Sequence, residues 1–178
     1  MINPFDVKIP VDILRTSQII SAALPVGAMT FLLVVLGLTV GNGQSLNQSL
    51  DAMTLVLLGL TIMVMGSYLF VPANVAKSTA LQQFSNVELE KEVVKESSQQ
   101  IKQLAAIYQT SMIIGSALIE GIALFAIVVV LLEQSVWALV IASATVLKLF
   151  LRIPTESRIQ NWMVWIVEYV ESQKQIKR

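Results

Sequence analysis

The chain of 178 residues contains no cysteine and no histidine. The first absence excludes disulfides, thiolate metal sites and thiol nucleophiles. The second removes the commonest general base and the commonest metal ligand. Most catalytic constellations are therefore missing, so the chain reads as a non-enzyme with no expected cofactor or metal. Charge is scarce as well. Only 13% of residues are Asp, Glu, Lys or Arg, against about 25% in a typical soluble domain. The formal net charge is zero, so nothing in the balance points to nucleic acid.

What is abundant is apolar. Hydrophobic residues make up 55% of the chain, and they sit in long blocks rather than being dispersed as in a soluble core. Blocks of about 18 or more residues read as membrane spans. The first covers residues 17–40, with Pro25 inside as a kink of the kind membrane helices tolerate. It is too long for the apolar core of a signal peptide and is read as retained. Gly41-Asn42-Gly43-Gln44-Ser45 has turn chemistry. A second span, 52–71, is expected to stop near Pro72, and a third covers 107–132 with one charge, Glu120. After the short turn Glu133-Gln134-Ser135, a fourth span covers 136–151 and contains Lys148; Arg152 and Pro154 close it. The expected class is all-α, an integral membrane protein of four transmembrane helices forming one domain overall. Its parts are an N-terminal hairpin (1–72), a helical segment (73–106), a second hairpin (107–152) and a C-terminal helix (153–178).

All 12 Lys and Arg lie in the N-terminal segment, the central polar stretch, the end of the fourth span or the C-terminal segment. The loops 41–51 and 133–135 carry none. This asymmetry is the positive-inside signal. With four spans it predicts a cell (inner) membrane protein with both termini and the central stretch in the cytoplasm. Asn47-Gln48-Ser49 in an external loop matches a glycosylation acceptor, although such triplets arise often by chance.

The run from Asn86 to Glu96 mixes charges of both signs. Opposite charges at i, i+3 and like charges at i, i+4 nearly cancel. Leu89, Val93, Ile101, Leu104 and Tyr108 recur at helical spacing, and no Pro or Gly intervenes before the third span. One long helix over 86–132 is therefore expected, either packed on its neighbour or offered as a docking surface for a protein partner. The segment 155–178 places Ile159, Trp162, Met163, Ile166, Tyr169 and Val170 on one face. Trp162 and Trp165 suit a membrane interface, so an amphipathic helix lying on the inner leaflet is expected. The alternative is a helix folded against the cytoplasmic hairpin.

Glu120 is the most chemically loaded position, because a carboxylate in an apolar helix must be neutral, paired or functional. Glu120 and Lys148 each lie about fourteen residues from the 133–135 turn, so at about 1.5 Å per residue they fall at matched depth on adjacent helices. An intramembrane Glu120–Lys148 pair is one expectation; Lys148 snorkelling to the inner interface is the other. Ser111 with Gly115, and Ala117 with Gly121, give two small-xxx-small spacings suited to helix packing. These leave a homo-oligomer open.

The run Gly115-Ser116-Ala117-Leu118-Ile119-Glu120-Gly121-Ile122-Ala123-Leu124-Phe125-Ala126-Ile127-Val128-Val129 resembles the second helix of subunit c of the F-type ATP synthase. The resemblance covers fifteen residues and implies an ion-carrying role for Glu120. With Arg152-Ile153-Pro154-Thr155 and Arg158 after the last span, the whole chain also resembles uncharacterised small four-span bacterial membrane proteins. Two functions follow as expectations. The first is a structural or partner-binding component of the bilayer; the second is a proton- or ion-binding proteolipid using Glu120.

Overall fold

The structure, a computed structural model, describes residues 9, 11–43, 45–84 and 98–176. Five helices are present among them: α1 (Val11–Gly41), α2 (Ala52–Phe84), α3 (Ser98–Glu133), α4 (Val136–Phe150) and α5 (Glu156–Ile176). No strand forms among the described residues; Asn47 and Ser135 make one isolated parallel bridge. Three helices are long and apolar enough to cross a membrane, and α4 is a shorter apolar helix. The charged run Asn86–Glu96 lies outside the described residues, so the expected helix over 86–132 is seen from Ser98 onward.

The expected stop near Pro72 does not occur. α2 runs through Pro72 to Phe84. Proline at this position removes the amide that would bond the Tyr68 carbonyl. Burial sustains the helix beyond it: Ala76, Ala80 and Phe84 recur every four residues and are almost fully buried.

The chain divides into two compact units. The second comprises residues 20–69 and 115–153, the first residues 1–19, 70–114 and 154–178. In the second unit, Leu32, Val35, Leu57, Ile122, Ala126, Ile127, Ala138 and Ala142 form the main core. Alanine at α3 and α4 contacts lets backbones approach closely. On α4 the buried stripe Ala138, Ala142, Val146 and Leu149 has helical spacing.

The α3–α4 turn and the 42–51 loop are tied together. Gln134 adopts φ 52°, which is unusual for a residue with a Cβ. Its carbonyl accepts from the Asn47 amide at 2.7 Å, and the Asn47 carbonyl accepts from the Val136 amide at 2.9 Å. Ser135 caps α4, its hydroxyl accepting from the Ala138 amide at 3.4 Å. Glu133 caps a different helix. Its carboxylate accepts from the amides of Met53 and Thr54, each at 2.9 Å, and from the Thr54 hydroxyl at 2.8 Å. The orphan amides at the start of α2 are thus satisfied from about 80 residues away. A carboxylate at that end also complements the helix dipole.

In the first unit, the start of α1, the ends of α2 and α3 that belong to it, and α5 share one core. Phe84, Leu104, Ile159, Met163, Ile166 and Val170 are its main members. Polar contacts fix it: Gln109 Nε2 donates to Ser17 Oγ at 3.0 Å, Ser111 Oγ to the Pro72 carbonyl at 3.1 Å, and Gln18 Nε2 to the Pro154 carbonyl at 3.3 Å. The apolar face of α5, expected from sequence at the inner leaflet, is buried here instead, as in the folded-back alternative. Ile101 and Leu104 from the expected α3 stripe also enter this core, with Tyr108 partly buried against it; Leu89 and Val93 lie outside the described residues.

Candidate functional site

The charged side chains within the apolar part of the second unit are few, and their surroundings define the candidate site. Lys148 lies in the last turn of α4, where the negative helix pole favours a cation, and Arg152 two residues beyond its end, in the turn that follows. Met65 and Tyr68 are three residues apart on α2 and face these cations. The Lys148 ammonium donates to Met65 Sδ at 3.3 Å and sits 4.5 Å from the Tyr68 ring centre. The Arg152 guanidinium carbon is 4.9 Å from the same centre. Both are cation–π distances.

α3 contributes a gap rather than a side chain. A Cβ at Gly115 would meet the guanidinium, with Arg152 Cζ only 2.8 Å away. Gly115 is therefore the position that lets Arg152 lie against the α3 backbone.

Glu120 is half-buried on α3 and forms no ion pair or hydrogen bond among the described residues. It matches Lys148 in distance from the turn, but the Lys148 ammonium is turned to α2. The reason is rotational. At about 100° per residue, Glu120 stands about 140° around α3 from Gly115, the residue beneath Arg152. Equal depth does not put two residues on facing sides.

The other expected positions are dispersed. Ser111 bonds the Pro72 carbonyl and Gly115 underlies Arg152. Ala117 and Gly121 are exposed, and a Cβ at Gly121 would meet nothing within 4 Å. Trp162 packs edge-on against Tyr108, with ring centres 5.2 Å apart. Trp165 is 40% exposed. Lys77 lies 5.4 Å from its ring centre and 4.9 Å from that of Tyr169. Among the described residues, no three acidic side chains converge as metal ligands would.

Three participants were not singled out from the sequence. Tyr68 and Met65 carry no local signal, since an aromatic and a thioether are ordinary in an apolar span. Glu133 looks like a turn residue, and only the folded hairpins show that it caps α2. Burial pushes the Glu133 carboxyl up, but hydrogen bonds from the Thr54 hydroxyl and from the Met53 and Thr54 amides outweigh this and hold it below the usual carboxylate range. The chain matches no protein-family model, no curated protein and no solved structure.

Proposed function

We propose that this is a multi-pass bacterial inner-membrane protein. It has four spans with both ends in the cytoplasm and acts as a non-enzymatic structural or partner-binding component. The observation that carries the reading is the outward face of the second unit. On α2, Ile62 and Met63 are 75% and 71% exposed, and Leu69 is 67% exposed. Val26, Leu33, Val34 and Val40 on α1 are all more than half exposed. Contiguous apolar surface on this scale calls for a partner or a bilayer. The distribution of Lys and Arg supports the orientation. In the first unit, α5 and the parts of α1, α2 and α3 that belong to it close over a core of their own. That suits a cytoplasmic head whose outer side, with Trp165, Lys77 and Glu168, would be the contact surface.

Because the chain has no cysteine, single-cysteine variants report topology without background. Ser49→Cys should react with an impermeant thiol reagent from outside only, and Ser172→Cys from inside only. Ile62→Cys should resist both. Labelling of Ile62→Cys by the impermeant reagent in intact membranes would sink the reading. For the partner role, a photocrosslinking residue in place of Trp165 should yield one discrete adduct in cells, and none when placed at the lipid-facing Ile62.

A second reading, a proton- or ion-binding component using Glu120, is favoured by one observation: Lys148 turns to Met65 and Tyr68 and leaves this carboxyl without an ion pair among the described residues. An ionisable side chain so placed in an apolar helix marks a candidate ion pathway. It should be labelled by a carbodiimide, and Glu120→Gln should abolish the label. Equal labelling of both proteins would exclude it.

A further inference from the structure

Asp51, Glu120 and Glu133 are the acidic side chains of the apolar second unit. Asp51 accepts from Ser49 Oγ at 2.8 Å, and Glu133 caps α2. Glu120 makes no hydrogen bond or ion pair with a described residue. It is half-buried and stands beside an open strip of α3. Ala117 and Gly121 are exposed there, with Ile113 and Leu124 at 40% and 38%. A Cβ at Gly121 would meet nothing within 4 Å, so a neighbouring helix has room to come close.

The cation at the same depth is Lys148. Each of the two lies about fourteen residues from the 133–135 turn, hence about 21 Å along its helix. The Lys148 ammonium carries three donors, and its contacts are the Met65 sulfur, a weak acceptor, and the Tyr68 ring face. No carboxylate among the described residues pairs with it.

Within one chain the pair does not form, because packing turns the two side chains apart. Between copies that condition is lifted. Copies inserted with one orientation are related by an axis along the bilayer normal. Such an axis leaves every residue at its own depth, while the direction of approach is free. Whatever a second copy offers Glu120 must therefore lie at the depth of Glu120, and Lys148 does. Charges within a bilayer pair with one another because hydrocarbon solvates neither.

We propose that this chain self-associates side by side in the membrane through an ion pair between Glu120 of one copy and Lys148 of a second. The inference rests on the membrane reading above and is the alternative to an ion-binding Glu120.

Because the chain has no cysteine, the contact can be read directly. Glu120→Cys and Lys148→Cys proteins with different tags are co-expressed, and their membranes are treated with a short bifunctional thiol reagent. Each protein retains the charge that the other lacks, so association survives. The mixed pair should give a cross-linked dimer, and each variant expressed alone should give none. Native mass spectrometry of the wild-type full chain in maltoside micelles should show a dimer or a closed ring. Glu120→Lys and Lys148→Glu should each weaken association at least about tenfold, and both together in one chain should restore most of it. Circular dichroism identifies any variant that fails to fold, and the cysteine pair then decides with the wild-type mass. Absence of either the mixed cross-link or the wild-type oligomer would overturn the pairing and leave lipid or another protein to cover Glu120. Self-cross-linking of Glu120→Cys as strong as that of the mixed pair would overturn Lys148 as the partner. Alkaline washing of the source membranes separates the two readings. Release of the chain refutes the membrane reading, whereas a retained chain without the mixed cross-link refutes the pairing alone.

Discussion

Gly115 and Gly121 lie on the same helix six residues apart, and alanine should act on them in opposite directions. In a helix interior, Gly→Ala gains about 0.5–1 kcal/mol by reducing the freedom of the unfolded chain. At Gly121 a new Cβ meets nothing within 4 Å, so Gly121→Ala should realise most of that gain. At Gly115 the Cβ falls 2.8 Å from Arg152 Cζ, well inside van der Waals contact. The far end of a long side chain can move, so the backbone need not shift. Moving it abandons the position over Tyr68, at a cost of about 0.5–2 kcal/mol depending on desolvation. It also strips a half-buried guanidinium of its seat. Gly115→Ala should therefore be neutral to about 1 kcal/mol destabilising, and the two variants should differ by about 1–2 kcal/mol. Reversible unfolding in mixed micelles, followed by far-UV circular dichroism, measures both. The decisive arm repeats Gly115→Ala in an Arg152→Ala background. There the clash is gone and alanine should stabilise, giving a coupling of about 1 kcal/mol or more. If Gly115→Ala stabilises as much as Gly121→Ala, and the cycle shows no coupling, the account of Gly115 is refuted.

The remaining predictions address other parts of the fold. Glu133 has a folded-state pKa below the ordinary carboxyl value. Its stabilisation is therefore present above that ordinary value and lost as pH falls through the depressed one; Glu133→Gln should flatten this acid-side loss, and identical pH profiles for both proteins would exclude the cap. Gln134 at φ 52° bears about 1–2 kcal/mol of left-handed strain, so Gln134→Gly should stabilise by about 0.5–1 kcal/mol after the entropy of glycine is deducted, as read from the unfolding midpoint. Phe84 is 1% exposed in the first unit and Leu57 is fully buried in the second. If only the first unit lies in water, Phe84→Ala should cost about 3–5 kcal/mol. Leu57→Ala should cost less than a soluble-core leucine, because lipid solvates its apolar surface; equal losses per buried area in a detergent unfolding series would argue against that division.

The positions of the helices were legible in the sequence because apolar blocks and their polar ends are local properties. Residues 17–40, 52–71, 107–132 and 136–151 all fall within or almost within observed helices. So was the amphipathic character of α5, since six apolar residues at helical spacing require some surface to bury them. Which surface they meet was not legible. Chain composition cannot distinguish a membrane interface from the core formed by Phe84, Leu104 and Met163, because both are simply apolar. Pro72 likewise reads as a stop, and continues as helix only because Ala76, Ala80 and Phe84 are buried beyond it.

The candidate site shows the same division more sharply. Counting residues from the 133–135 turn sets the depth of Glu120 and Lys148 along their helices, because the rise per residue is constant. It does not set how each helix is rotated about its own axis. That rotation is chosen by packing: the buried stripes of α3 and α4 face the core, Gly115 receives Arg152, and Lys148 is carried round to Met65 and Tyr68. The sequence by itself determined an apolar helical chain with rare charges at defined depths. Only the tertiary structure decided which partners those charges meet, because the facing of a helix is a property of its neighbours.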